Sequence, residues 1–206
     1  MHWEILDQQR LAILPALASF RANGFYLAGG TALALHLGHR DSVDFDFFTP
    51  QAFDTARLFE QVRACFAGHG VIKVQDEERT LTVILDASIK LSFFGYNYPL
   101  LRPLVRSDHL DLADIADIGC MKLSAITGRA EMKDYVDLYF LLQRIRLSEL
   151  LLLCAVKLPG LDRSLILKSL VYFEDVRPEP ILFTKGHEVA FSEVQHFLRA
   201  QVAGTY

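Results

Sequence analysis

Cysteine is scarce in this chain. Only Cys65, Cys120 and Cys154 occur, and no two of them form a CxxC pair. That argues against a disulfide framework or a thiolate zinc site, and reads instead as free thiols in apolar stretches of a reducing cytoplasm. A basic surplus is also missing: 21 Lys and Arg stand against 25 Asp and Glu, a net charge of −4. Proteins that coat nucleic acid electrostatically carry the opposite balance, so any RNA contact must come from a local patch. Long hydrophobic runs are lacking too. Charge interrupts each within about a dozen residues, too few to span a bilayer. The start, Met1-His2-Trp3-Glu4, has no basic segment leading into an apolar core, so neither a signal peptide nor a membrane partner is expected and the cytoplasm is the expected location.

What remains is ample material for a core. Hydrophobic residues make up 51% of 206 residues and charged residues 22%. A chain of this size folds as one large or two small domains and needs neither disulfides nor metal to do so.

Periodicity divides the chain softly near residue 105. Leu11, Leu14, Leu17 and Phe20 recur at helical spacing over residues 7–22, with Asn23-Gly24 as the stop. Residues 25–28 form a short apolar strand, Gly29-Gly30 a turn, and Thr31 the cap of a helix closed by Gly38. From Val43 to Phe48 the alternation puts Asp44, Asp46 and Phe48 on one face and Val43, Phe45 and Phe47 on the other. A helix over 53–67 and strands over 71–75, 80–85 and 89–94 follow, the last two joined by an Asp86-Ala87-Ser88 hairpin. Beyond Pro99 and Pro103 strand signals largely stop, and residues 110–126, 133–143, 148–156, 163–173 and 192–202 read as helices. The fold class expected is α+β: helices on a mixed sheet over residues 1–105, then a mainly helical region over 106–206.

One constellation carries chemistry. Carboxylates at i and i+2 of a strand share a face, so Asp44 and Asp46 can hold one divalent cation between them. Magnesium takes oxygen ligands and is commonly held by one or two carboxylates plus substrate phosphates. Gly29 and Gly30 let backbone approach a ligand, the following helix turns its free N–H groups toward an anion, and Thr31 adds a hydroxyl. Each piece alone also fits a tight turn or a solvated strand; the order of elements makes them a unit. Lys122, Arg129 and Lys133 fall on one side of an ideal helix, which fits either a phosphate-facing row or a solvated, ion-paired face, with Gly128 as an interruption.

The segments Leu27-Ala28-Gly29-Gly30-Thr31-Ala32-Leu33 and Arg40-Asp41-Ser42-Val43-Asp44-Phe45-Asp46-Phe47-Phe48 resemble the AbiEii/AbiGii toxin family of nucleotidyltransferases, within the DNA polymerase beta-like superfamily. The likeness continues through Lys122-Leu123-Ser124, Arg129 and Lys133-Asp134-Tyr135-Val136-Asp137-Leu138, and again at Leu170-Val171-Tyr172-Phe173. It implies a polymerase-beta-like core that moves a nucleoside monophosphate from an NTP to a tRNA, other RNA or protein acceptor, with Mg2+ or Mn2+ as cofactor and an antitoxin protein as partner. It also implies metal ligation by Asp44 and Asp46 and nucleotide contacts from Gly29, Gly30, Thr31, Arg129, Lys133 and Asp134. Lys122 would work at the reacting phosphates. Asp137 is either a helix-surface residue or a brace for Arg129.

The sequence departs from the superfamily at one point. A third carboxylate, the base for the attacking hydroxyl, belongs on the strand 89–94, and Ser92 stands there. Serine is a poor general base. A module that binds nucleotide or partner without turnover is therefore a second expectation, and a metal-dependent phosphohydrolase a third. His36 and His39 are interrupted by Gly38 and are not expected to hold metal.

Overall fold

The computed structural model describes residues 1–205. Seven strands form one mixed sheet in the order β3-β4-β5-β2-β1-β7-β6. These are β1 (Tyr26–Ala28), β2 (Phe45–Thr49), β3 (Val71–Glu77), β4 (Thr80–Leu85), β5 (Ile89–Gly95), β6 (Val105–Arg106) and β7 (Asp111–Leu112). β1 runs antiparallel to β2, while β2 and β5 are parallel, as are β1 and β7. The helices are α1 (Gln8–Leu17), α2 (Gly29–Leu37), α3 (Thr55–Cys65), α4 (Ile115–Gly128), α5 (Met132–Leu141), α6 (Leu147–Lys157), α7 (Arg163–Val171) and α8 (Phe191–Ala203). The expected α+β architecture is present, and no helix among the described residues is long and apolar enough to cross a membrane.

Two strands hold the site in place. In β2, Phe45, Phe47 and Thr49 are buried and alternate with half-buried Asp46 and Phe48. In β5, Leu91 and Phe93 point into the core while Lys90, Ser92 and Phe94 belong to the other face. Phe47 stacks on Phe93 at 5.3 Å, and Phe20 packs on Phe93 at 5.0 Å. Each buried Phe is worth roughly 2–3 kcal/mol of transfer free energy, and each aromatic pair about 1 kcal/mol more. The polar face of β2 and β5 is fixed because its back is nailed to the core.

Several expectations shift. The first helix stops at Leu17 and tightens into a 3₁₀ segment over Ala18–Asn23, which Gly24 closes at φ 72°. Residues expected to open the helix at 110 instead pair as β7 beside β1, and α4 starts only at Ile115, where the Asp114 side chain caps the Ala116 N–H. Tertiary pairing with β1 outweighs the apolar periodicity there. β2 starts at Phe45, so Val43 and Asp44, both expected within the strand, precede it, and Val43, expected on the core face, is exposed. Asp86 and Ala87 adopt positive φ, as the tight hairpin requires.

Candidate active site

A cleft of about 930 Å³ opens on the polar face of β2 and β5 and is walled by α2, α4 and the α4–α5 corner. Gly29, Gly30, Thr31, Asp44, Asp46, Lys122, Arg129 and Lys133 all line it; Asp134, buried behind, does not. The register explains the sheet side. Ala28, at the end of β1, is paired with Asp46, and Asp46 with Ser92. The Gly29 turn is thus beside the Asp46 carboxylate. A Cβ on Gly29 would lie 3.2 Å from Asp46 Oδ2, and its φ of 74° disfavours any side chain.

α2 begins directly at Gly29, so Thr31 sits inside its first turn and does not cap it; no side chain does. The Thr31 side chain is buried, and its hydroxyl donates to the Asp44 carbonyl while accepting from Ser42 Oγ at 2.8 Å. Thr31 therefore holds the chain at Asp44 in position, its hydroxyl engaged by Ser42 and the Asp44 carbonyl. Gly30 has a further reason to be glycine: a Cβ there would stand 2.8 Å from Arg40 Nη2.

The two carboxylates differ. Asp44 is about two-fifths exposed and pairs with Lys90 at 2.8 Å. Asp46 is more enclosed: burial raises its pKa, Lys90, Ser92 and Lys122 pull it down, Asp44 pushes it up, and the balance is a raised value. Buried carboxylates that keep their charge usually have close donors or a cation. Two hard oxygen groups facing one cleft suit a magnesium ion shared with phosphates. No cluster of three or more His, Cys, Asp or Glu that could hold a metal by itself occurs among the described residues.

Facing them is a different arrangement. Asp134 and Asp137 on α5 are fully buried. Lys122 of α4 reaches Asp134 at 2.7 Å and Asp137 at 2.5 Å. Arg40 grips Asp137 with Nε at 2.7 Å and Nη2 at 2.9 Å, and His39 Nε2 donates to the same carboxylate at 2.8 Å. Arg129 joins Asp134 at 2.8 Å. Burial alone would raise the pKa of Asp137, but Lys122 and Arg40, with hydrogen bonds from His39 and Arg40, hold it well below the usual carboxylate range. Burial would likewise lower Lys122, yet Asp137 and Asp134 keep it above its ordinary value, so it is charged.

This geometry revises three readings. α4 ends at Gly128 and Arg129 is extended at φ −151°, so Lys122, Arg129 and Lys133 do not share one helix. Lys122 and Arg129 converge through Asp134 instead, while Lys133 pairs with Glu131 at 3.0 Å. Asp137 is no surface residue and braces Arg40, not Arg129. Lys122 is almost wholly buried and held by two carboxylates, so its charge reaches the cleft more than its ammonium does. Half-exposed Arg129 presents the accessible cationic edge.

Sequence reading assigns no role to Arg40, Gln75, Thr82 or Glu179. Arg40 is charged and lies just ahead of the Asp pair, which is the one available signal. Glu179 accepts from the Lys133 N–H at 2.9 Å. Its segment crosses residues 39–41 through Asp41 N to Leu182 O at 2.8 Å and closes one wall of the cleft. His36 meets the Ala113 carbonyl at 2.9 Å.

Residues 12–200 match the sequence model of the nucleotidyl transferase AbiEii toxins of type IV toxin–antitoxin systems. An uncharacterized protein of Aquifex aeolicus (strain VF5) is 40% identical over 205 residues, covering 97% of this chain and 96% of that one. In fold, the chain is similar to a putative nucleotidyltransferase from H. pylori, at TM-score 0.63 and 19% identity over 97% of this chain and 96% of the other. It is also similar to MenT4, a nucleotidyltransferase toxin of Mycobacterium tuberculosis H37Rv, at TM-score 0.60 and 19% identity over 94% and 81%.

Proposed function

The chain belongs to the AbiEii nucleotidyl transferase toxin family, and from that premise we propose that it moves a nucleoside monophosphate from an NTP to an RNA or protein acceptor. The reaction is metal-dependent in this reading, with Mg2+ or Mn2+, and the protein acts in the cytoplasm as the toxin opposed by an antitoxin protein. One observation carries the reading: a carboxylate pair stands on one wall of the cleft and a set of cations on the other. On the sheet side, Asp44 and Asp46 have Lys90 beside them. On the helical side, Arg40, Lys122, Arg129 and Lys133 line the cleft with Asp41 and Glu179 among them, and half-exposed Arg129 is the accessible cation. A metal–triphosphate has the complementary polarity, with the cation against the carboxylates and phosphate oxygens against the cationic wall.

A metal bound by Asp44 and Asp46 would neutralise charge that develops on the reacting phosphoryl group. The chain's own groups do the rest. Gly29 and Gly30 bring backbone N–H groups and the start of α2 to the phosphates. Arg129 offers its open guanidinium edge, and Lys133 lies further out; Lys122 and Asp134 hold that edge and its charge in place. The acceptor hydroxyl oxygen bonds to the α-phosphorus, the bond from that phosphorus to the bridging oxygen breaks, and pyrophosphate leaves. The hydroxyl proton passes to solvent water, because Ser92 stands beside Asp46 where a carboxylate base is expected.

Titration calorimetry with NTP and magnesium should show binding by wild type that Asp44→Ala removes; unchanged binding would sink the metal role. Label transfer from an α-labelled NTP should be lost in Asp46→Asn. Ser92 favours a second reading, nucleotide binding without transfer. It predicts magnesium-dependent binding with no labelled acceptor under any condition.

A further inference from the structure

A second cavity, of about 590 Å³, opens where α4 and α7 end, and the transfer proposed above makes no use of it. Its size is that of a small-molecule site. Gly128 and Arg129 line both this cavity and the carboxylate cleft, so one cation is shared by the two. The frame is fixed: Tyr135, from α5, offers its hydroxyl to the Ser169 and Tyr172 carbonyls, each at 3.3 Å, and so pins the end of α7.

Three kinds of group meet there. The first is cationic. Arg129 commits Nε and Nη2 to Asp134, which leaves Nη1 without a hydrogen-bond partner among the described residues. Lys168 is exposed and makes no ion pair among the described residues. The second is apolar and planar: the Tyr172 side chain is 48% exposed, and Ile126, Ala130 and Val171 line the same cavity. The third is an acceptor, Asp175, which stands close enough to Tyr172 to raise the pKa of its hydroxyl. Asp175 is the one acidic residue among those lining this cavity.

We infer that this cavity is an effector site for a nucleoside monophosphate, separate from the site of the donor triphosphate. Such a ligand has one part for each kind of group. Its base suits the Tyr172 ring and the apolar walls. Its ribose hydroxyls are donors for Asp175, as an acidic residue serves a ribose in dinucleotide-binding folds. Its phosphate takes Lys168 and the open Nη1 of Arg129 in charge-assisted hydrogen bonds. With a single carboxylate in its walls, the site binds without metal, unlike the cleft beside it. The consequence for activity rests on the transfer reading; the binding does not. Arg129 offers its open edge to the donor triphosphate there, and a phosphate in the second cavity draws on that edge. Monophosphate and NTP therefore weaken each other, by the same factor in both directions.

The test reads binding without turnover. AMP, GMP, CMP and UMP are titrated by calorimetry in EDTA against wild type, Tyr172→Leu, Lys168→Ala and Asp44→Ala, with thermal melting of each variant to report folding. At least one monophosphate should bind wild type and Asp44→Ala equally, and Tyr172→Leu about tenfold more weakly. Saturating that monophosphate should then weaken NTP–magnesium binding by wild type about fivefold or more. Tyr172→Leu and Lys168→Ala should bind NTP as wild type does when no monophosphate is present, and should lose most of the antagonism. Failure of all four monophosphates to bind at millimolar concentration overturns the site. So does binding that needs magnesium and disappears in Asp44→Ala, which would place the ligand in the carboxylate cleft, or binding indifferent to a folded Tyr172→Leu variant. Monophosphate that binds through Tyr172 and leaves NTP affinity untouched overturns the coupling through Arg129. Monophosphate bound through Tyr172 in a protein that binds no NTP with magnesium would instead defeat the transferase reading and leave the site standing.

Discussion

Two aspartate pairs flank the cleft, one lining it and the other buried behind its helical wall, and their surroundings are opposite. Asp134 and Asp137 lie fully buried among Arg40, Lys122, Arg129 and His39, with every carboxylate oxygen bonded. Asp44 has a direct ion pair with Lys90, whereas Asp46 feels Lys90 and Lys122 only through space and has its pKa raised by burial. The first pair organises the protein, because burying charge is tolerable only where partners and hydrogen bonds are complete. The second is under-compensated, which is unfavourable in the bare protein and, in the function proposed above, would be relieved by a bound cation. In that reading the fold separates carboxylates that build a site from carboxylates that work in it.

The comparison can be broken most forcefully at Asp137. Replacing it by alanine leaves Arg40 and much of Lys122 buried without a partner, and is expected to cost about 3–5 kcal/mol by urea or guanidinium unfolding. A loss near zero would mean that the buried pair is not structural. The pH signature follows from the sign of its shift. The folded value lies below the ordinary 3.8, so the stability that Asp137 contributes is fully present above that pH and drains away as pH falls from there toward the folded value.

Asp46 should behave in reverse. Its folded pKa lies above the ordinary 3.8, so ionisation destabilises the native state increasingly as pH rises through the folded value. Asp46→Asn should therefore raise thermal stability in EDTA at neutral pH, by roughly 1 kcal/mol, with the gain vanishing near pH 4 and shrinking when magnesium is added. A variant less stable than wild type at every pH would place Asp46 with the structural pair instead. The smallest effect is expected at Lys90. It is about two-fifths exposed, so Lys90→Ala should cost at most about 0.5 kcal/mol, and should tighten magnesium binding by freeing Asp44. Weaker magnesium binding in calorimetry would contradict that.

Much of this was legible in the chain. Asp44, Asp46 and the Gly29-Gly30 turn come to one cleft as their spacing suggests, although β2 begins only at Phe45 and Asp44 precedes it, while Phe45 and Phe47 alternate onto the opposite, buried face. The β7 strand was not legible, since two residues beside β1 carry no periodicity of their own. The partners of Asp137 were equally hidden: Arg40 and His39 lie 97 and 98 residues away in sequence. No local pattern distinguishes a helix-surface aspartate from one that closes a buried knot of charge.

Sequence alone therefore determined which residue types meet on the strand face and why they suit a metal and phosphates, because that depends only on the two-residue repeat of a strand. Tertiary structure decided what each charge is for. Thr31 became a clamp on the Asp44 backbone, Lys122 a buried counter-ion and Arg129 the open cation, because burial and partners fix whether a charge meets solvent, another side chain or a ligand, and these are set by elements far apart in the chain.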